Sequence, residues 1–261
     1  MFNIIIPTHN RPALLARTLQ SLATQTWQDF HVIIVDDVAP SAPPLEALAA
    51  LQGRYTYVTR SSKPGPAESR NAGLALADQP WLMFLDDDDT MEPGHLAALA
   101  ARVQAAPAEI LFHDFKVQNE DRTVMPPRLL EAATPLSIDG VSALDTWVLN
   151  RIPNSCLLYR RDLIADIRYD ASLIIYEDWD YLLACLQRGQ LSYVPGINSV
   201  VIHKSAAGAS ENMRRGNSRD DLILPTMLHL YKKFPCPTHE ARLARQALLA
   251  RAGVNLPLEH F

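Results

Sequence analysis

The chain has 261 residues, a formal net charge of −5, 48% hydrophobic residues and 20% charged residues. This is the composition of an ordinary globular protein with room for a substantial core, and it argues against a general nucleic-acid binder. Cys156, Cys185 and Cys236 are too few and too scattered for a disulfide framework or a zinc site, and they fit a reducing cytoplasm. No basic lead or cleavage region precedes Phe2, and no apolar run approaches the roughly 18 residues of a transmembrane helix. The expected location is therefore cytoplasmic.

Phe2–Ile6 reads as a short apolar strand closed by Pro7. Arg11–Thr24 carries leucines at 14, 15, 19 and 22, a helical stripe. His31–Val35 is a second buried strand, ended by Asp36-Asp37, and Leu45–Leu51 a short helix. Tyr55–Thr59 alternates as a third strand, and Pro66–Ala77 is helical with proline near its start. Trp81–Leu85 is a fourth strand, Pro93–Ala105 a helix and Glu109–Phe115 a further strand. This alternation predicts an α/β fold with a mostly parallel central sheet and helices on both faces.

Beyond Phe115 the pattern loosens. Lys116–Pro135, with three prolines and scattered charge, reads as a long excursion or a lid. Asp139–Leu149 and Glu177–Arg188 are predicted helices, and Ser155–Tyr159, Ser192–Val194 and Val200–His203 are strand-like. Cys185 falls on the apolar face of its helix and is assigned to the core. Ser205–Gly216 is small and polar, with Arg214 and Arg215 placed to meet phosphate, and is predicted to order over a ligand. Asn217–Phe234 and His239–Ala252 are C-terminal helices. The second sets Arg242, Arg245 and Arg251 beside leucines; packing on its own domain is favoured over a peripheral contact at the inner face of the membrane. The two halves are expected to share one sheet and one cleft.

The densest signal is Asp86-Asp87-Asp88-Asp89, set directly after the apolar strand Trp81–Leu85. Adjacent carboxylates resist ionising together, so a positive partner is expected, and a hard divalent cation with oxygen ligands suits it. Successive residues on an extended segment alternate in direction, which lets Asp86 and Asp88 project to one side. Open α/β sheets bind ligands at the carboxyl ends of their strands, which weighs against a merely solvated acidic loop.

The N-terminal half resembles the family 2 glycosyltransferases, inverting enzymes of the GT-A fold. The resemblance rests on Ile4-Ile5-Ile6-Pro7-Thr8-His9-Asn10-Arg11, Ser21-Leu22, Gln25-Thr26 and Val32-Ile33-Ile34-Val35-Asp36-Asp37. Ser69-Arg70-Asn71-Ala72-Gly73 and Phe84-Leu85-Asp86-Asp87-Asp88-Asp89 with Pro93 follow, then Glu177-Asp178-Trp179-Asp180 and His203. It spans about residues 2–205. The expectation is one GT-A-like domain over 1–261: a nucleotide-sugar-binding half at 1–115, an acceptor-side half at 116–216 and C-terminal helices at 217–261.

The resemblance implies a role for each motif. Asp37 would bind the base, and its carboxylate can accept the imide N–H of uracil, with Pro7, Thr8 and Asn10 beside it. Capping or turn formation is the plain alternative for Asp36 and Asp37. Arg70 would grip the diphosphate bidentately, against a surface ion pair with Glu68. Asp88 would ligate Mn²⁺ or Mg²⁺, Asp86 would reach the ribose or a metal-bound water, and Asp89 would support them. Asp178 would be the catalytic base and Glu177 its support, although acidic residues also favour a helix start for dipole reasons. Trp179 would line a sugar ring or pack in the core. His203 would ligate the metal or meet a phosphate, against a purely structural role.

Two departures stand out: His9 where tyrosine is common, and Val38-Ala39-Pro40 where small residues usually follow the aspartate pair. The expected reaction is inverting transfer from a nucleotide-diphosphate sugar, with a UDP-sugar favoured, to a hydroxyl of a bacterial surface glycan or its lipid-linked precursor. The main rival is a non-catalytic nucleotide-sugar or metal-binding module on the same fold. A nucleotidyltransferase would want a glycine-rich loop after the first strand, which Pro7-Thr8-His9-Asn10-Arg11 is not. A phosphotransferase of the aspartyl-nucleophile type would want its aspartate pair there.

Overall fold

The computed structural model describes residues 1–38, 40–103, 108–205 and 219–261. Three strands open the chain, the buried β1 (Phe2–Thr8) and β2 (Phe30–Asp36) and the half-buried edge strand β3 (Tyr55–Thr59), with α1 (Pro12–Ala23) and α2 (Leu45–Ala50) between them. β1 and β2 are runs of β-branched residues because both faces of the sheet are covered. β1 does not stop at Pro7. Its pairing to β4 (Trp81–Phe84) ends at Ile5, and beyond that only β2 adjoins it, so the missing proline N–H is tolerated.

The first sheet has seven strands in the order β11-β6-β10-β4-β1-β2-β3, with β6 at Ile110–Phe112, β10 at Leu157–Arg160 and β11 at Leu191–Tyr193. β10 runs antiparallel to both its neighbours and the other pairings are parallel, so the sheet is mostly parallel. Its closing strands come from the second half of the chain. The halves do not share this sheet alone, however. Lys116–Pro135 is no irregular lid: β7 (Phe115–Asp121) pairs antiparallel with β8 (Arg128–Leu129) and β9 (Thr134–Leu136). β7 also pairs with β12 (Val200–Ser205), and β12 with β5 (Thr90–Met91), which makes a second sheet. The expected single strand at 109–115 is thus two strands in two sheets. Residues 206–216 of the expected phosphate-meeting loop, and 217–218 at the start of the helix expected after it, lie outside the described residues.

α3 (Pro66–Leu76) lies on β1 and β2, and its approach explains Gly73. A Cβ there would sit 2.5 Å from Ile5 Cγ2, inside any tolerable contact. α4 (His95–Val103), α5 (Ala143–Val148), α6 (Arg161–Ile164) and α7 (Glu177–Leu186) complete the body, followed by α8 (Asp220–Lys233) and α9 (His239–Arg251). The C-terminal helices build a second apolar cluster around Trp147, Trp179, Tyr231 and Phe234. Arg245 is buried within it, donating to the carbonyls of Trp147, Tyr231 and Phe234 at 2.9, 3.3 and 2.9 Å. α9 thus packs on its own protein through one of the three arginines that a surface-binding helix would have offered to lipid. No described helix is long and apolar enough to cross a membrane.

A buried histidine pair in this framework makes stability pH-dependent. His95 and His113 meet edge to face with ring centroids 4.9 Å apart, and both are fully buried. Burial lowers both, His113 to about 4, well below its ordinary 6.5. Between these values the unfolded chain binds the proton and the folded one does not, so stability falls as pH drops from 6.5 to 4. His113 alone is expected to cost on the order of 3 kcal/mol over that window. Urea unfolding of wild type and His113→Gln across pH 4–7 checks this; an equal slope in both proteins removes the assignment.

Candidate active site

The parallel strands β1, β2 and β4 end on the same edge, which brings Thr8, Asp37 and Asp86 to one cavity of about 410 Å³. Pro7, His9, Arg11, Gly65, Arg70 and Asp88 also line it. Asp37 is buried and held in place. One oxygen lies 2.6 Å from His9 Nδ1, and the other accepts the Gly65 amide at 2.7 Å and Arg60 Nη2 at 3.2 Å. Asp36 points elsewhere. It accepts from Ser41 Oγ, Tyr57 Oη and the Val38 amide at 2.5, 2.7 and 3.0 Å, which fixes the loop after β2.

Asn10 lines a small adjoining hollow with Asp36 and Tyr57. Its φ of 50° is left-handed, a conformation asparagine tolerates better than most residues. That turn starts α1 and delivers Arg11 to the cavity wall. Arg11 grips Asp87 through Nη2 and through Nε at 3.2 Å, and Thr8 Oγ1 donates to the same carboxylate at 2.7 Å. Asp87 is fully buried. Burial drives its pKa upward, and Arg11 and Thr8 oppose the shift.

The positive partners predicted for the aspartates are present, and they are arginines. Asp88 Oδ2 accepts Arg122 Nη1 at 2.8 Å and lies 3.5 Å from Arg11 Nη1. Asp89 accepts from Ser155 Oγ at 2.8 Å and from the His203 amide at 3.2 Å, a supporting position that braces the turn against β12. Glu120 backs the turn. Burial alone would raise it, but His203, Arg17 and Arg122 outweigh that and hold it at about 2. His203 presents Nδ1 to Glu120 at 3.0 Å and Nε2 to Thr90 Oγ1 at 3.0 Å, so both ring nitrogens are engaged behind the turn.

Arg70 joins the two halves of the site. It reaches Asp86 at 3.0 Å and Glu177 at 2.8 Å, with Tyr169 beneath its guanidinium at 5.3 Å. Its partners are thus Asp86 and Glu177 rather than Glu68. Tyr176, with φ 60°, turns the chain sharply into α7, so Glu177 and Asp178 open the helix. Asp178 is half-buried and accepts the Trp179 amide at 2.8 Å. Burial, then Glu177, push it up to about 6 against the pull of Arg70. Trp179 is fully buried and donates to the Thr146 carbonyl at 2.8 Å; it packs in the second core rather than lining a sugar site.

Sequence reasoning named Asp37, Arg70, Asp86, Asp88, Asp89, Glu177 and Asp178 but passed over Arg11, Arg17, Arg60, Arg122 and Glu120. Only Arg11 carried a signal, as the last residue of the β1 motif. The oxygen donors of Asp86 and Asp88 at the cavity wall are of the kind that Mn²⁺ or Mg²⁺ takes. No cluster of three or more His, Cys, Asp or Glu side chains arranged for a metal occurs among the described residues. A cation here would complete its shell from ligand oxygens.

Residues 3–168 match the model of glycosyl transferase family 2. The chain belongs to that family, and it is a glycosyltransferase with a GT-A fold. An uncharacterized glycosyltransferase of Bacillus subtilis, YwdF, is 30% identical over 227 residues, covering 85% of this chain and 81% of that one. The succinoglycan biosynthesis protein ExoW of Rhizobium meliloti is 29% identical over 199 residues, 70% of this chain and 61% of its own length. A PGL/p-HBAD biosynthesis glycosyltransferase of Mycobacterium bovis is 29% identical over 197 residues, 73% of this chain and 72% of that one. Among solved structures, Staphylococcus aureus TarS 1–349 in complex with UDP-GlcNAc superposes with a TM-score of 0.71. It is 19% identical, and the match covers 96% of this chain and 72% of that one. The mannosyltransferase PcManGT of Pyrobaculum calidifontis, in complex with GDP-Man and Mn²⁺, gives 0.56 at 15% identity, over 99% and 77%.

Proposed function

We propose that the protein transfers a sugar from a UDP-sugar to a hydroxyl acceptor with inversion at the anomeric carbon. The observation that carries this reading is the bridge through Arg70, which places the carboxylates of the β4 turn beside the Glu177-Asp178 pair. Asp37 lines one cavity with Arg70, Asp86 and Asp88, and its carboxylate suits the imide edge of uracil. TarS, with UDP-GlcNAc in its structure, supports a uridine donor, and ExoW supports a surface-glycan acceptor or its lipid-linked precursor.

In the proposed step Asp178 removes the acceptor hydroxyl proton as that oxygen attacks the anomeric carbon. The bond from that carbon to the diphosphate oxygen breaks, and UDP leaves with the electron pair. Arg70 faces the departing charge, and Glu177 keeps Arg70 oriented. Asp86 and Asp88 would hold Mn²⁺ or Mg²⁺, which when bound supplies Lewis-acid stabilisation of the leaving diphosphate. The cytoplasm is the proposed place of work, a reducing compartment that the three free cysteines fit.

The test is a panel of nucleotide sugars followed by proton NMR. An α-linked donor is expected to yield UDP and, in slow hydrolysis, a sugar that appears first as the β-anomer. Release of UMP and sugar phosphate instead would show pyrophosphate cleavage and end the transferase reading of the site.

A further inference from the structure

We propose that Arg122, together with Arg11, is the resident counter-cation of the aspartate turn, so that a divalent cation enters only along with the nucleotide diphosphate. This deepens the donor-site reading above and rests on it.

Of the four buried carboxylates at the turn, Asp89 is held by the Ser155 hydroxyl and the His203 amide, and the other three face arginines. Asp87, Asp88 and Glu120 are buried at 0%, 1% and 0% exposure. Arg11, Arg17 and Arg122 face them, three guanidinium groups against three carboxylates. Arg122 is the central one. It follows β7 directly, comes from the second sheet, and has a fully buried side chain. Its fork donates to Asp88 at 2.8 Å, to Glu120 at 2.6 Å and to the His203 carbonyl at 3.0 Å. Arg17 adds a bond to the Asp88 carbonyl at 2.9 Å and one to Glu120 at 2.6 Å. Asp88 is therefore aimed and neutralised by the protein itself.

A bare cation arriving at Asp88 meets the Arg11 and Arg122 guanidinium groups on Oδ2, so it is repelled by both and gains a carboxylate whose charge is already shared. A nucleoside diphosphate changes the balance. It brings several negative charges and the oxygen ligands that Mg²⁺ or Mn²⁺ takes in place of an all-protein cage. Arg11 lies on the cavity wall with 20% of its side chain exposed, so its Nη1 can donate to the phosphates in place of Asp88 while Nε and Nη2 stay on Asp87. Arg122 stays and keeps the carboxylate aimed. It is a positioning residue, acting on the ligand through Asp88.

Calorimetric titration of MnCl₂ into the full chain, with and without saturating UDP, tests this. Wild type is expected to bind Mn²⁺ about tenfold or more weakly without UDP, and UDP affinity is expected to rise by the same factor with Mn²⁺, as linkage requires. Arg122→Met is expected to gain UDP-independent Mn²⁺ binding, a change that mere loosening of the fold would not produce. Arg122→Lys keeps the charge without the fork and is expected to lie between the two. Equal Mn²⁺ affinity with and without UDP in wild type overturns the proposal, whatever the variants do. UDP that binds in chelator and never recruits Mn²⁺ also overturns it, while leaving the donor site intact. A protein that binds no UDP under any condition overturns the donor reading itself, and the proposal with it.

Discussion

Asp178→Asn is expected to lose transfer by about 10²–10⁴, the usual contribution of a positioned base, while UDP-sugar affinity stays within a few-fold. It is also expected to be the more stable protein at neutral pH. Burial and Glu177 raise Asp178 from its ordinary 3.8 to about 6, so the folded state holds this charge at a cost. Below pH 4 the group is protonated, folded or unfolded, and contributes nothing. Between 4 and 6 the folded chain binds more protons, so stability falls as pH rises; above 6 the loss is complete. Asparagine keeps the size and can accept the Trp179 amide, yet never ionises. At pH 7 the variant should therefore gain about 1–3 kcal/mol, and at pH 4 nothing. Single-turnover kinetics with denaturant unfolding at both pH values measure the two effects together. Turnover near wild type in a folded Asp178→Asn protein would refute the base assignment. Lost turnover with lower stability at pH 7 would make Asp178 a structural residue of the α7 start.

That trade is consistent with how the segment is built. Tyr176 is held at positive φ, an uncommon state for an aromatic residue, and the turn it makes sets Glu177 and Asp178 at the first positions of α7. Three acidic residues in the first turn suit the helix dipole, so the dipole account of these residues and the catalytic one are compatible. What separates them is Arg70, which reaches Glu177 from a helix 107 residues earlier in the chain.

The sequence made the strands of the first half legible because a strand buried on both faces is a continuous apolar run, and Ile4-Ile5-Ile6 and Val32-Ile33-Ile34-Val35 are such runs. It left the second sheet illegible for the opposite reason. β8 and β9 are two and three residues long and exposed, and β9 carries Pro135, so no periodicity marks them. β7 alternates only partly, with charged residues such as Glu120 facing inward, where pattern reading would place an apolar residue. Those inward charges belong to the site. The four aspartates announced an electrostatic problem, and a metal was the partner a sequence could suggest. The arginines that answer it arrive from the residue before α1, from α3 and from the residue after β7, at separations of 76, 16 and 34 residues, and no local spacing encodes them. The site acids were readable because each ends a strand or opens a helix. Their partners were not, because tertiary structure alone brings them near.

Replacing Arg70 should show how strongly the two halves are coupled. Its guanidinium is almost wholly buried and bonds Asp86 and Glu177 at once, while its charge also pulls Asp178 down. Arg70→Gln leaves these carboxylates without that cation, and breaking such buried pairs costs roughly 3–5 kcal/mol. Three results are expected together. The protein melts lower. UDP-sugar binding weakens by about one to two orders of magnitude, since the cation proposed to face the diphosphate is gone. The acid limb of transfer, which rises through about pH 6 as Asp178 deprotonates, moves to higher pH because the group opposing burial and Glu177 has been removed. Arg70→Lys keeps the charge but cannot span both acids with a planar fork. It should therefore restore the acid limb more fully than donor affinity. Rate profiles from pH 5 to 8, taken as kcat and as kcat/KM, distinguish these effects. An acid limb at the same pH in wild type and Arg70→Gln would mean that Arg70 does not act on the base, and that its bond to Glu177 serves only to hold the helix in place.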